Sequence, residues 1–385
     1  TEAKLSTTVN DANSGLSKIV WQWGTSTSFG SSKTDTYIEM NGSTTGTKES
    51  VTATCELKGL SAGTKYYARV IVYDVAGNPS TSSTIEFTTG AGVAQVGDTI
   101  YTSVQNAVNA ISSSSATEIK LLVNRKESIT IPSGKKISFN LNGKTLSYNG
   151  TIIKNYGTLT LNGGNIQTTV NNIQSIINSG EMYLYSANIL GNDGWTLNNI
   201  GTFYMFGGSI TSKSTNNGAA VINFGNFYMS SGKIEGDENG IATRGGNTNI
   251  SGGTIVSNAS SSSGAWAFIV DSKGTAIIQN ANITGGRAAI LTNKKDSADD
   301  HVGKSLIIID STINGIVGGN VIRISGRTGG YSIYYYDTYQ EYNSITFPTW
   351  TNNNGQDDLV WHNAKSGTLN NSKVWYYDIL KSDRT

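Results

Sequence analysis

Cysteine and histidine are nearly absent from this chain. Its 385 residues include one cysteine, Cys55, and two histidines, His301 and His362. A single cysteine excludes an internal disulfide and a cysteine-based metal cluster. Two histidines leave little for histidine metal sites or for a serine-type triad. Cys55 lies in the alternating run SVTATCEL, which predicts a small buried side chain.

Charge is also scarce. Charged residues make up 14% of the chain, against a usual share of about 25%, and the net charge is +1. This balance supplies no field that would recruit nucleic acid or an anionic membrane, so neither is expected as a partner. No apolar run reaches the roughly 18 residues of a membrane span. Proline is rare and glycine, serine, threonine and asparagine are abundant, which is typical of extracellular β-rich proteins.

The centre of the chain repeats itself. Copies begin in phase at Gly157, Gly180, Gly201, Gly225, Gly246 and Gly274, with an earlier copy at Ile137 and a looser one at Gly303. A repeat of roughly 20–30 residues is typical of a solenoid. Apolar residues follow each start by two, four and nine positions, as in Leu159, Leu161 and Ile166. The pattern predicts a strand, a turn and a second strand per copy, stacked in parallel.

A column of asparagines supports the stacking. Asn155, Asn178, Asn199 and Asn223 each precede an in-phase glycine by two residues, which predicts an amide ladder in one turn of the coil. The repeat resembles the right-handed parallel β-helix of the pectate-lyase-like superfamily over residues 94–337. That resemblance implies the fold and leaves the activity open, because the fold carries enzymes, adhesins and fibres alike.

Residues 1–90 precede the repeat as a separate domain. Five alternating runs separated by polar turns predict a β-sandwich. The stretch GLSAGTKYYARVIVYDVAGN resembles a fibronectin type III domain, which implies a corner at Leu60 and Tyr66 and a core aromatic at Trp21 or Trp23. Two roles stay open for this domain, that of a spacer and that of a binding module. Residues 102–111 predict a short helix that covers the open N-terminal end of the solenoid.

Residues 344–385 change character again. The runs PTW, GQDDLVW and WYYDILKSDRT resemble the opening half of the streptococcal Bsp-like repeat, a module of Gram-positive surface and cell-wall proteins. A sandwich of that kind needs more strands than these residues supply. We therefore expect that the parent chain continues beyond residue 385, or that a second chain completes the sheet by homo-assembly. The whole chain is predicted to be all-β: a sandwich, a right-handed parallel β-helix and a partial β module.

Outward aromatic residues form the main candidate site. The residue three positions after the start of successive copies is Asn140, Thr160, Tyr183, Tyr204, Tyr228, Asn249 and Ile277. Alternation places this column on the outside, where the three tyrosines would stack at about one coil spacing. Tyr185 and Phe206 lie two positions further on. A flat aromatic strip among polar residues can bind the apolar faces of sugars, so we predict glycan binding by Tyr183, Tyr185, Tyr204, Phe206 and Tyr228. The alternative is that these rings only stabilise the sheet.

Acidic clusters are the other candidates. The insertion after Thr284 holds Asp296, Asp299, Asp300 and His301, which would suit Ca²⁺ or acid–base catalysis. With Arg323 they would form the catalytic set of an enzyme, although the paired carboxylates of polygalacturonases and pectate lyases are not found on neighbouring coils. Asp237 and Glu238, in the turn EGDENG, are weak candidates for a Ca²⁺ site that turn geometry explains equally well.

These features favour a non-enzymatic protein, secreted or attached to a bacterial cell surface or cell wall. It would be an adhesin or stalk whose β-helical face binds glycans or another host or bacterial surface ligand. No cofactor is required, and Ca²⁺ is the ion that would suit the acidic clusters. One alternative is a polysaccharide lyase or glycoside hydrolase, and another is a structural subunit of a surface fibre.

Overall fold

The computed structural model describes residues 2–11, 15–36, 49–112, 115–168, 170–171, 173–192, 194–214, 218–259, 265–270, 274–292, 306–338, 340, 342–350 and 359–381. The chain divides into two compact units, Thr1–Ala107 and Val108–Thr385. Strands account for almost all of the regular structure, and the helix α1 (Val104–Ala110) contains the boundary between the units.

The first unit is built from short antiparallel strands. They are β1 (Ala3–Asp11), β2 (Leu16–Gly24), β3 (Ser31–Thr36), β4 (Glu49–Leu57), β5 (Lys65–Asp74), β6 (Pro79–Thr81), β7 (Ile85–Thr88), β8 (Ala94–Val96) and β9 (Thr99–Tyr101). One sheet pairs β1 with β4, a second has the order β3-β2-β5-β6 with β7 also on β5, and β8 pairs antiparallel with β9 outside both of them. The alternating runs of the sequence are β1, β2, β4, β5 and β7. The alternating pattern does not predict β3 or β6, because the sequences of these two strands are polar.

The core of the first unit follows from that alternation. Trp21 and Cys55 are buried in one cluster between the sheets, and Cys55 is the small buried side chain that was predicted. Trp23 is only half-buried, so Trp21 is the core aromatic. Tyr66 Oη accepts a hydrogen bond from the backbone N–H of Ser61 at 3.0 Å. This bond closes the corner before β5 at the predicted residue.

The second unit contains the remaining strands. In chain order they are β10 (Thr117–Leu121), β11 (Arg125–Lys126), β12 (Ile129–Ile131), β13 (Lys136–Asn140), β14 (Thr145–Tyr148), β15 (Ile153–Asn155), β16 (Thr158–Asn162), β17 (Gly164–Thr168), β18 (Ile176–Asn178), β19 (Glu181–Leu184), β20 (Ala187–Gly191), β21 (Trp195–Asn199), β22 (Thr202–Met205), β23 (Ser209–Ser212), β24 (Ala219–Asn223), β25 (Asn226–Met229), β26 (Lys233–Gly236), β27 (Asn239–Thr243), β28 (Asn247–Ile250), β29 (Gly253–Ser257), β30 (Phe268–Val270), β31 (Thr275–Gln279), β32 (Ala281–Thr292), β33 (Leu306–Ile309), β34 (Thr312–Gly318), β35 (Asn320–Arg327), β36 (Gly330–Asp337), β37 (Thr346–Thr349), β38 (Val360–Asn363), β39 (Lys365–Leu369) and β40 (Ser372–Leu380).

Through most of the second unit, each strand pairs in parallel with the strand three places further along the chain. The chain therefore winds through about eight turns, with three sheets around one core. The first sheet contains β10, β13, β16, β19, β22, β25, β28, β31, β33 and β35. The second sheet runs from β11 through β29 to the start of β32, and the third from β12 through β30 to the end of β32. This topology confirms the predicted parallel β-helix.

Like side chains stack on like inside the solenoid. Phe203 pairs with Phe227 in the first sheet, and their rings lie 5.4 Å apart and nearly parallel. Ile210 pairs with Ile234 in the second sheet, and all four side chains are buried. Each such burial is worth about 1.5–3 kcal/mol. One turn cannot bury this surface alone, so the turns are stable only when stacked.

The in-phase glycines mark a close approach between turns. A Cβ on Gly201 would collide with the carbonyl oxygen of Gly180, and one on Gly225 with that of Gly201. These residues lie where the chain passes from the third sheet to the first. Only glycine fits there because the backbones of successive turns touch.

The asparagine ladder is present just before those glycines. Asn155, Asn178 and Asn199 each donate a side-chain hydrogen bond to the amide oxygen of the next asparagine, at 2.8, 2.8 and 2.7 Å. The last, Asn223, donates to Thr248 Oγ1 at 3.1 Å. All four asparagines are fully buried, so the ladder satisfies polar groups that would otherwise lie unpaired inside the solenoid.

The register of the earliest copy differs from the prediction. Ile137 pairs with Leu159, so this copy begins two residues before Ile137 and Thr160 pairs with Ser138 instead of Asn140. The turn that follows β13 is longer than in later copies and contains Asn142 at φ 51°. A shift of two residues keeps every side chain on its own face, so the apolar pattern alone does not reveal it.

The two ends of the second unit are finished differently. At the N-terminal end, Lys135 Nζ donates to the carbonyl oxygens of Val108, Asn109 and Ile111 at 2.7, 3.0 and 2.5 Å. A cation at this position also suits the C-terminal end of α1. At the other end the first sheet turns antiparallel and continues as β35, β36, β40 and β39. The buried carboxylate of Asp337 accepts the Trp375 indole N–H there at 3.1 Å.

The ladder yields a stability prediction. Asn199→Ala leaves buried amide partners unpaired on both sides, so we expect it to lower the free energy of unfolding by about 2–4 kcal/mol. The matched control is Asn188→Ala on the exposed side of the second sheet, where the expected change is within about 0.5 kcal/mol. Urea unfolding followed by circular dichroism measures both. Equal losses in the two variants would contradict a stabilising role for the ladder.

Candidate functional site

The outward side of the first sheet carries the predicted aromatic residues. On β19, β22 and β25 the inward positions hold apolar residues, and the outward position between them holds Tyr183, Tyr204 and Tyr228 in turn. We call these three residues the tyrosine stack. Tyr185 and Phe206 follow at the end of β19 and β22, and are 47% and 43% exposed. The structure therefore brings all five predicted residues together on one face.

The rings of the tyrosine stack lie against each other. Tyr183 and Tyr204 have centroids 4.9 Å apart at 11°, and Tyr204 and Tyr228 have centroids 5.0 Å apart at 13°. Phenol rings are too wide to lie flat side by side at this spacing, which is close to the distance of about 4.8 Å between strands. They stand on edge instead, so the faces of Tyr204 are covered by its neighbours. The face is thus not the flat aromatic strip that was expected.

Polar residues flank the stack on one side. Asn247 Nδ2 donates to Asn226 Oδ1 at 3.1 Å, and Thr275 Oγ1 donates to Asn247 Oδ1 at 2.5 Å. Glu181 lies in the same column and accepts a hydrogen bond from Tyr183 Oη at 2.6 Å. That bond, with burial and the carboxylate charge, raises the pKa of Tyr183 to about 12. The phenol is therefore held in its neutral form.

A depression opens where the stack ends. After Tyr228 the same column continues with Asn249, and the neighbouring column changes from Phe206 to Ser230 and Ser251. These residues and Gln279 line a cavity of about 310 Å³. Asn249 belonged to the outward column in the sequence, but the two serines and Gln279 were missed. Their signal was the column that contains Tyr185 and Phe206, which becomes polar after Phe206.

Beyond the depression the outward column is aliphatic. Ile277 and Ile322 are 43% and 39% exposed, and Ile307 between them is half-buried. The column therefore has an aromatic, a polar and an aliphatic part in succession. The polar part coincides with the depression.

The candidate catalytic residues are only partly described. Asp296, Asp299, Asp300 and His301 lie outside the described residues. Arg323 is on β35, where its guanidinium donates to the Ser311 carbonyl oxygen at 3.3 Å and to Tyr336 Oη at 3.5 Å. These contacts hold Arg323 against the end of the solenoid.

Asp237 and Glu238, the weak candidates for a metal site that the structure describes, lie in different surroundings. Asp237 accepts hydrogen bonds from Lys213 at 3.5 Å and from Asn258 at 3.2 Å. Glu238 is buried and accepts the backbone N–H of Gly218 at 3.0 Å. Lys233 lowers the pKa of the neighbouring Glu235 by a hydrogen bond. Within the described ranges, no three histidine, cysteine or carboxylate side chains meet as a metal site.

No helix of the described residues has the length and hydropathy to cross a bilayer.

The bond between Tyr183 and Glu181 gives a prediction for titration. The raised pKa means that the folded protein keeps a proton between pH 10 and about 12 that the unfolded chain loses. Its contribution to stability is full below pH 10 and is lost as the pH rises through the folded pKa. Glu181→Ala should move the pKa of Tyr183 down towards 10. The Cζ resonance of labelled tyrosine, assigned with Tyr183→Phe, measures it, and an unchanged midpoint would contradict the assignment.

Comparison with known proteins returns structural likeness only. No protein-family model and no curated protein matches the chain. Similar solved structures include those of two pectate lyases. Pel3 from Pectobacterium carotovorum has 12% identity and a TM-score of 0.21, with 79% of this chain and 84% of that chain covered. PelI from Erwinia chrysanthemi in complex with tetragalacturonic acid has 11% identity and a TM-score of 0.15, with 83% and 91% covered. At these scores the likeness carries no argument about activity, and the fibronectin type III and Bsp-like resemblances stay predictions.

Proposed function

We propose that this chain is a non-enzymatic extracellular protein, an adhesin or stalk of a bacterial surface, that binds glycans on the outward face of the first sheet. The observation that carries the proposal is the combination of residues on that face. Aromatic rings of the tyrosine stack lie between a column of threonine and asparagine side chains and a column that ends in serines and Gln279. Apolar rings beside neutral donors and acceptors suit sugars.

The charges of the face favour binding over catalysis. Across β16, β19, β22, β25, β28 and β31, all of them within the described residues, Glu181 is the one charged side chain at the outward positions. Its carboxylate is engaged by Tyr183. Glycoside hydrolysis uses a pair of carboxylates as acid and base or nucleophile. A surface poor in charge and rich in polar side chains also suits an extracellular stalk, in which the first unit serves as a spacer.

Assembly through the C-terminal segment is a second candidate function. Among the described strands β39 has β40 as its neighbour on one side, while β37 and β38 pair with each other. Trp361 is 62% exposed and Trp350 is 45% exposed beside them. An open strand edge beside exposed aromatic residues favours pairing with another chain. Sedimentation velocity over a wide range of concentration should reveal self-association, and a monomer at every concentration would contradict it.

A panel of polysaccharides tests glycan binding. The protein is incubated with neutral polymers, uronic-acid polymers and mucin, with and without Ca²⁺, and both retention and new chain ends are measured. We expect retention on at least one polymer without products, and its loss in Tyr204→Ala because the stack is broken. Tyr148→Ala is the matched control, since Tyr148 lies on the second sheet and has the same 39% exposure as Tyr228.

Three outcomes of the panel would contradict the proposal. Release of reducing or unsaturated ends would show that the chain is an enzyme. Absence of retention on every polymer would remove glycan binding and leave assembly as the remaining candidate. Equal loss in Tyr204→Ala and Tyr148→Ala would place the binding surface away from the first sheet.

A further inference from the structure

The tyrosine stack has two ends, and they differ chemically. At one end Tyr183 has its hydroxyl bound to the carboxylate of Glu181, next to the smaller Thr160. At the other end Tyr228 is followed by Asn249 and is 39% exposed. The hydroxyl of Tyr228 makes no hydrogen bond within the described part of the chain. Because Tyr204 covers one side of Tyr228, the side towards Asn249 is the ring face left to a ligand.

The depression begins at that ring face. Tyr228 and Phe206 form its aromatic side, and Asn249, Ser230, Ser251 and Gln279 supply its polar groups. Its volume of about 310 Å³ is at the lower limit of ligand pockets, which span roughly 300–1,000 Å³. A space of this size suits one ring of a sugar chain whose other rings extend over the surface.

The polar groups of the depression are available to a ligand. The side chains of Asn249 and Gln279 make no hydrogen bond to the residues that the structure describes, whereas Ser251 Oγ reaches the Met229 carbonyl oxygen at only 3.4 Å. Each amide offers both donors and an acceptor. Sugar hydroxyls need both, and an amide beside an aromatic face meets the equatorial hydroxyls of a stacked ring.

Charge decides which sugars fit. The residues that line the depression are all neutral. A uronic acid would bring a carboxylate to a depression whose described lining residues include no cationic side chain, and desolvation of that charge would not be compensated. Glu181, on the same face, would repel it further. An uncharged sugar ring has neither this desolvation cost nor this repulsion.

We infer that the depression is the primary subsite of the proposed glycan-binding face and takes one uncharged pyranose ring, stacked on Tyr228 and hydrogen-bonded by Asn249 and Gln279. This inference rests on the proposed function and makes it specific. It predicts a neutral glycan as the ligand, and it assigns affinity to one end of the tyrosine stack.

Titration with short oligosaccharides tests the inference. Cellotetraose, galactotetraose, mannotetraose and tetra-N-acetylchitotetraose are the neutral probes, and tetragalacturonic acid, with and without Ca²⁺, is the charged probe. At least one neutral probe should bind to the intact chain more tightly than the charged one. Tyr228→Leu should weaken that binding about tenfold, the effect of roughly 1.4 kcal/mol of lost stacking. Asn249→Ala, an exposed position, should weaken it without altering the unfolding midpoint.

Tyr148→Leu on the second sheet is the matched control, because Tyr148 has the same 39% exposure as Tyr228, and its affinity should stay unchanged. Tyr183→Leu, at the opposite end of the stack, should weaken binding less than Tyr228→Leu. Loss of binding in Tyr183→Leu with none in Tyr228→Leu would overturn the subsite and leave the glycan-binding face standing. Tighter binding of tetragalacturonic acid than of every neutral probe would overturn the neutral-sugar assignment. Failure of every neutral probe would overturn the inference even if a polymer is retained in the panel, whereas absence of retention on every polymer would remove the proposed function as well.

Discussion

Parallel pairing in register is the constraint on which the second unit depends. Each turn lies about 4.8 Å from the next, so every side chain has its counterpart of the neighbouring turn directly beside it. A residue type can fill successive positions of a column only if its side chains make favourable contacts with one another. Phenylalanine and isoleucine meet this condition by dispersion, asparagine by amide hydrogen bonds and tyrosine by stacking. Glycine meets it where the backbones themselves touch.

On the outer face the same constraint separates the side chains that stabilise the solenoid from the proposed binding site. Inside a uniform column each side chain is covered by its neighbours, as Tyr204 is by Tyr183 and Tyr228. Such a residue contributes to the cohesion of turns and presents little surface. The proposed ligand would contact a ring face that is left uncovered because the column changes type there. On this solenoid that change occurs after Tyr228, where Asn249 follows.

Much of this architecture could be predicted from the sequence, because columns of like residues are visible as a repeat. The parallel β-helix and the asparagine ladder follow from apolar spacing and from amides two residues before the glycines. The five aromatic residues of the face follow from alternation alone. The register of the earliest copy did not follow, since a shift of two residues preserves alternation and only the longer turn at Asn142 reveals it.

The stacking of the three tyrosines was predicted from the spacing of the turns, whereas their orientation on edge was missed. Alternation tells that Tyr183, Tyr204 and Tyr228 point outward, but whether they lie flat or stand on edge depends on ring width against strand spacing. The depression escaped prediction for a related reason: it is formed by two neighbouring columns that become polar at the same turn, and its serines belong to the column of Tyr185 and Phe206. Comparing the copies one column at a time shows only which residue type the members of that column have in common. The proposed subsite lies where two columns change type at the same turn, after Tyr228 and after Phe206.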